Sequence, residues 1–314
     1  MIDKTNKKTD KTIMKIVLLG KNGQVGWELQ RALQPLGHVI SLDRQINDNG
    51  LCGDITNFAA IEKLYATIEP DIVINAAAYT AVDNAESDYE QADLINHIAV
   101  EHLATMSKQY NSLLINYSSD YVFDGTLDMP WSEMDDRMPI NNYGKTKYDG
   151  ETALEKSGAR FINFRTSWVY GAHGNNFIKT MLKLAQSKEE LNIIADQVGA
   201  PTGAALIADI TAQALRYYLL NKQSSSLLGH YNLAAKGECS WFDYAQFIFA
   251  TAQKDIGTEL LIKQLNPIPT SEYPTPAKRP LNSRLNTEKL QTHFQLHLPH
   301  WQQGVAQVLG ELLS

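Results

Sequence analysis

Lys15-Ile-Val-Leu-Leu-Gly20-Lys-Asn-Gly23-Gln-Val-Gly26 is the stretch on which the fold turns. An apolar run, three glycines spaced G-x-x-G-x-x-G, and then Val25, Leu29, Leu33 and Leu36 at helical spacing read as strand, tight turn and helix. Such a turn lets backbone N–H groups approach a pyrophosphate at the positive end of a helix. The spacing assigns Gly20, Gly23, Gln24, Val25 and Gly26 to a dinucleotide phosphate site; a purely structural turn is the other reading of the same glycines.

Outward from this turn, further strands follow at His38–Leu42, Asp71–Asn75, Leu113–Tyr117 and Phe161–Arg165, with helical stretches between them, notably around Glu86–Lys108. This alternation predicts an α/β fold, a doubly wound Rossmann-type parallel sheet covered on both faces, spanning residues 14–170. Beyond about Gly171 the prolines at 201, 267, 269, 274, 276 and 280 break the rhythm, and residues 171–314 are expected to form mainly a smaller, discontinuous substrate-binding lobe. Helices are expected near Ala204–Leu220 and near Trp301–Leu313, the second with Trp301, Val305, Val308 and Leu312 on one face. The segment 204–235 is expected to return to the first domain. Residues 1–13 read as a polar, lysine-rich flexible tail, and Met14 as an alternative start.

A formal net charge of −7 without a basic cluster argues against nucleic-acid binding or a polybasic membrane surface. No segment has the length and apolarity of a membrane span or a secretory signal, which points to a cytoplasmic enzyme acting on small molecules. Cys52 and Cys239 share no C-x-x-C spacing, so neither a disulfide framework nor a zinc site is indicated.

Asp43 closes the second strand, where a carboxylate can hold the adenosine ribose hydroxyls, and Arg44 follows, where a guanidinium can accept an extra phosphate. These neighbours suit both NADH and NADPH. Asp54 and Ile55 are read as contacts on the adenine side, and Ala77, Ala78 and Tyr79 as a wall against which the cofactor lies. Tyr143 and Lys147 stand one helical turn apart, so an ammonium can lie beside a phenol and favour its phenolate. That pairing suits a group that gives or takes a proton near neutral pH.

With these residues assembled, the chain resembles the extended short-chain dehydrogenases/reductases, and within them the dTDP-4-dehydrorhamnose reductase family. The likeness runs from about Met14 to the C-terminus. It is carried by Gly20–Leu29, Asn75–Asp83, Tyr117–Phe123, Tyr143–Lys147, Arg165–Gly171 and Arg279–Ser283; the Ser-Asp-Tyr-Val-Phe and Arg-Thr-Ser-Trp-Val-Tyr-Gly runs discriminate best. Many members have threonine where Ser119 stands. The resemblance implies a triad of Ser119, Tyr143 and Lys147, with Tyr143 and Lys147 also touching the cofactor. It places Ser119, Asp120, Tyr121, Trp168, Asn176 and Arg279 around a nucleotide-sugar, with Arg279 on its pyrophosphate.

The implied reaction is reduction of the C4 ketone of dTDP-4-dehydro-β-L-rhamnose to dTDP-L-rhamnose, the final step toward a precursor of surface polysaccharide such as lipopolysaccharide O-antigen. Some members are homodimers bridged by Mg2+ at carboxylates. Glu28 fits one such ligand, but Gln302 stands where that pattern expects a glutamate, and a neutral amide serves a hard cation poorly. The rival readings are another nucleotide-sugar reductase or epimerase on the same scaffold, and a non-catalytic NADP-binding regulatory subunit.

Overall fold

The computed structural model describes residues 13–221, 223–254 and 260–313, so all but the last residue of the expected N-terminal tail lies outside the described residues. The first half of the chain runs β1 (Lys15–Leu19), α1 (Gln24–Ala32), β2 (His38–Leu42), α2 (Phe58–Ile68) and β3 (Ile72–Asn75). It continues through α3 (Tyr89–Asp93), a π-helical turn over Leu94–Ile98, α4 (Ala99–Gln109), β4 (Leu113–Ser119), α5 (Asn142–Ser157) and β5 (Arg160–Thr166). The second half adds β6 (Val169–Tyr170), α6 (Phe177–Ala185), β7 (Glu190–Ile194), β8 (Val198–Gly199), β9 (Thr202–Gly203) and α7 (Ala204–Leu220). It ends with β10 (Gly229–Asn232), β11 (Cys239–Ser240), α8 (Trp241–Lys254), β12 (Gln264–Ile268), α9 (Glu288–Phe294) and α10 (Trp301–Leu313).

Six strands form one parallel sheet in the order β10-β5-β4-β3-β1-β2. Side chains alternate across it, so Ile16 and Leu18 of β1 pack with Leu29 of α1 and Ile207 and Leu215 of α7. Their neighbours Val17 and Leu19 pack on the other face with Ile61 and Leu64 of α2 and Leu103 of α4. Cover on both faces is why the strands are near-continuous apolar runs. The edge strand β10 is shielded: the Lys289 ammonium donates to the His230 carbonyl at 2.8 Å, and the Asn232 N–H donates to Glu133 Oε1 at 2.8 Å.

Three two-stranded pairs, β6 with β9, β7 with β12 and β8 with β11, build the second lobe. Tyr170, Ile178, Met181, Ile248, Phe249, Trp301, Val305 and Leu309 lie in its core. On α10 the buried face is Trp301, Val305, Val308 and Leu309, while the expected Leu312 is only half-buried in the last turn. The helical region expected around Glu86–Lys108 is divided into α3, the π turn and α4. The π turn brings the backbone of Asn96 against α5, where a Cβ on Gly150 would sit 2.2 Å from the Asn96 carbonyl oxygen. A Cβ on Gly144 would likewise sit 2.2 Å from the Tyr121 carbonyl oxygen, so both glycines sink α5 onto its neighbours.

Candidate active site

Strand order reverses at β1: the chain leaves it for β2 on one side and β3 on the other, which opens a crevice at the strands' carboxyl ends. A cleft of about 670 Å³ occupies that crevice. Gly20, Gly23, Asp43, Arg44, Asp54, Ile55 and Ala77 to Tyr79 all line it. Gly20 adopts φ 83°, and a Cβ there would lie 2.6 Å from the Ala77 nitrogen, so the turn and the wall touch only because residue 20 has no side chain. Helix α1 starts at Gln24 without a side-chain cap, which leaves its first N–H groups for an anion. These features fit a dinucleotide.

Gln24, Val25 and Gly26 are not among the residues lining the cleft. Val25 packs its side chain against the core, and Gly26 lets α1 pass the Gly20 carbonyl, 2.0 Å from where a Cβ would stand. Gln24 and Val25 can reach a phosphate only through their backbone N–H groups. At the rim, Asp43 accepts from the Gln45 N–H at 2.8 Å and from Asn22 at 3.0 Å, and pairs with Lys21 at 3.2 Å. The Gln45 bond, with Lys21 and Asn22, outweighs partial burial and keeps its carboxyl below the usual carboxylate range.

Ser119 ends β4, and its hydroxyl donates to Asp120 Oδ1 at 2.9 Å while accepting from the Tyr121 N–H at 3.2 Å. Tyr143 is buried on the first turn of α5, with Tyr121 edge-on at 5.4 Å between ring centres. Burial pushes the Tyr143 phenol above its ordinary pKa, with Asp120 and Tyr121 adding to the rise and the Ser119 hydroxyl opposing it. This corrects the expectation that Lys147 lowers that phenol: the lysine ammonium instead donates to the Tyr117 carbonyl at 3.0 Å. Burial brings Lys147 down to about 8, opposed by the Glu151 charge. Burial also raises Asp120 to about 6, with the Ser283 and Ser119 hydroxyls offsetting part of it.

Sequence reading missed what holds α5 in place. Glu151, one turn after Lys147, is fully buried and grips Arg165 with two bonds, Nε to Oε1 at 2.9 Å and Nη2 to Oε2 at 2.8 Å. Burial alone would raise this carboxyl, but the Arg165 charge and hydrogen bonds hold it well below the usual range. Arg137 adds a third bond at 3.0 Å. Beneath the helix runs a ladder across neighbouring strands: Asn75 donates to Asn116 at 2.9 Å, Asn116 to Asn163 at 2.8 Å, and Asn163 to His230 Nδ1 at 3.0 Å. At its other end Asn75 accepts from the Ala77 N–H at 3.2 Å, on the cleft wall. Asn96 of the π turn ties the Tyr79 backbone to Thr146 of α5, at 3.0 and 3.1 Å. The i, i+4 spacing of Lys147 and Glu151 was the one local signal for this network.

The residues expected around the nucleotide-sugar divide. Asp120 and Tyr121 lie beside Ser119. Arg279 reaches Tyr121 Oη at 3.3 Å but is held by Asp83, 2.7 Å from its Nη2, a partner the sequence did not suggest. Trp168 adopts φ 48° and stacks on Trp241 at 3.7 Å between ring centres, so one of its faces is spent inside the lobe. Asn176 caps α6 and is fully engaged: its amide donates to the Gly171 carbonyl at 2.7 Å and to Gln24 Oε1 at 3.0 Å, and its oxygen accepts from the Lys179 N–H. That leaves it no donor for the nucleotide-sugar.

Glu28 sits 3.8 Å from the Arg31 guanidinium, whose charge disfavours a cation there. Among the described residues, the one grouping of three side chains suited to a metal is Asp93, His97 and Asp149, and it excludes Glu28.

A buried phenol, a neighbouring serine hydroxyl and a dinucleotide-sized cleft lie at the switch point of a parallel sheet, the arrangement of the extended short-chain dehydrogenases/reductases. A family model described as the RmlD substrate binding domain matches residues 14–314. The dTDP-4-dehydrorhamnose reductase of Escherichia coli strain K12 is 52% identical over 301 residues, covering 96% of this chain and 99% of that protein. The Salmonella typhimurium strain LT2 protein of the same name is 50% identical with the same coverage. The Bacillus anthracis dTDP-4-dehydrorhamnose reductase, solved in complex with NADP, is 33% identical, with a TM-score of 0.85 over 96% of this chain and 100% of that one. The chain belongs to the dTDP-4-dehydrorhamnose reductase family.

Proposed function

We propose that the chain reduces the C4 ketone of dTDP-4-dehydro-β-L-rhamnose to dTDP-L-rhamnose, with NADPH or NADH as reductant. The observation that carries this reading is Tyr143, buried on α5 among Ser119, Asp120 and Tyr121 beside a cleft that fits a dinucleotide. When bound, the nicotinamide dinucleotide supplies the hydride.

The chain's own residues do the rest. By turning its hydroxyl from Asp120 toward the substrate, Ser119 donates a hydrogen bond to the carbonyl oxygen and holds it as charge builds there. Tyr143 gives that oxygen its proton. A phenol kept above its ordinary pKa by burial is protonated at neutral pH, the form that reduction requires. Lys147 fixes the end of β4 through the Tyr117 carbonyl and brings a positive charge to the site.

Asp120 is positioned to accept from a sugar hydroxyl, and Arg279 to meet the pyrophosphate of the nucleotide-sugar. Asp43 beside Arg44 supports use of both cofactors. No described helix is long and apolar enough to cross a membrane. We place the enzyme in the cytoplasm, in keeping with two free, buried cysteines.

The reading is tested by following NADPH and NADH oxidation with enzymatically generated dTDP-4-dehydro-L-rhamnose and identifying the product by NMR. Substrate-dependent oxidation that yields dTDP-L-rhamnose supports it. Cofactor binding without oxidation transfers the assignment to another nucleotide-sugar or to a regulatory subunit.

A further inference from the structure

We propose that the segment Gly171–Asn176 is a clasp on the phosphate-binding turn, with His173 and Asn176 as positioning residues for the cofactor's pyrophosphate. This rests on the reading that the cleft takes a nicotinamide dinucleotide. The turn Lys21–Gly23 has one side in the cleft, where Asn22 and Gly23 are exposed to a ligand. The clasp grips it elsewhere.

His173 Nε2 lies 2.9 Å from the Asn22 carbonyl oxygen. A carbonyl only accepts, so this nitrogen carries the proton and donates. Trp27 of α1 stacks on the imidazole at 4.4 Å between ring centres and 8° between planes, which fixes the direction of that bond. On the other side of Gly23, Asn176 donates to Gln24 Oε1 at 3.0 Å and to the Gly171 carbonyl at 2.7 Å, joining both ends of the segment to the start of α1. Gly174, at φ 76°, lies so close that a Cβ would be 2.8 Å from Gln24 Cγ.

Asn22 and Gln24 flank Gly23, the N-cap of α1. Holding the Asn22 carbonyl fixes its peptide plane, and holding the Gln24 side chain fixes the first residue of the helix. Together they set where the N–H groups of Gln24 and Val25 point. The clasp belongs to the segment that leads from β6 into α6, so the substrate lobe orders the cofactor's phosphate site. Cofactor affinity is thereby tied to the lobe that receives the sugar.

The test is equilibrium binding to the whole chain without substrate, using NADPH and, as a probe of the Asp43–Arg44 rim, 2′-AMP, which has no 5′-phosphate. His173→Ala should weaken NADPH about five- to tenfold, the scale of one hydrogen bond with its stacking contact, and leave 2′-AMP affinity within about twofold. His173→Gln, which retains an N–H donor, should recover much of the loss. Unchanged NADPH affinity in His173→Ala overturns the clasp. So does equal weakening of NADPH and 2′-AMP, which would mark a general loosening. A wild-type chain that binds neither NADPH nor NADH would instead sink the functional reading.

Discussion

The two faces of the central sheet are built from the same strands and differ in kind. Toward α1 and α7 lies an apolar core, with Ile16, Leu18, Ile74, Ile115, Ile162 and Phe164 all buried. The other face is apolar under α2 and α4 but turns polar under α5, with Asn75, Asn116, Asn163, Arg165 and Glu151 buried beside Lys147. Hydrophobic burial stabilises the first face in proportion to area. The second face must satisfy each polar group it hides, and a buried ion pair gives little net stability over an apolar substitute. The lesson is a division of labour: one face holds the sheet together, and the other fixes the helix that carries Tyr143.

The largest expected effect breaks the polar face. Glu151→Ala leaves Arg165 buried without its carboxylate and should cost about 3–5 kcal/mol by chemical denaturation. The double variant Glu151→Leu/Arg165→Met should recover most of that stability but not activity. Full activity in the double variant would reduce the network to packing.

Next comes the apolar face. Ile115→Ala should cost about 3 kcal/mol through lost burial and a residual cavity, while the pH dependence of the surviving activity stays that of the wild type. A shifted pH profile would show that the faces are coupled.

Tyr143→Phe should lower turnover at least about a hundredfold, equivalent to roughly 2.7 kcal/mol, while NADPH binding and melting temperature hold. Near-normal turnover removes Tyr143 as the acid.

The smallest effect sharpens the comparison through pH. The folded protein raises Asp120 from 3.8 to about 6, so the folded state holds this proton more tightly than the unfolded chain. Stability from this group is fullest below pH 3.8, declines as pH rises toward about 6, and the whole penalty stands above that. Asp120→Asn should therefore be more stable than the wild type at neutral pH and lose most of that advantage near pH 4, with activity impaired. A gain independent of pH would mean that the carboxylate charge costs the fold nothing.

The fold was largely legible because a parallel sheet writes itself locally: each apolar run is a strand, and the glycine turn fixes the first crossover. Much of the cleft was legible for the same reason, since Gly20, Asp43 and Ala77 follow strand ends. The asparagine ladder was not. Asn75, Asn116 and Asn163 each look like a lone polar residue in an apolar run, and only the register of strands far apart in sequence aligns them. The Asp83–Arg279 pair and the His173–Asn22 bond were hidden likewise by long sequence separation. The raised phenol of Tyr143 depends on burial among residues such as Ala85, Ala92 and Tyr121, which the Tyr-x-x-x-Lys spacing does not encode.

One consequence of the strand order concerns time. Strand β5, with Phe161, Ile162 and Phe164, has β4 as its neighbour on one side and β10 on the other. Residues up to Thr166 are translated well before Gly229–Asn232, so during synthesis β5 waits roughly ten seconds, at ordinary elongation rates, with one edge unpaired. In that interval the nascent sheet is a template for any passing strand. The return of β10 is the step that ends this exposure, and the yield of folded protein should respond to translation speed between β5 and β10 more than to the stability of the finished molecule.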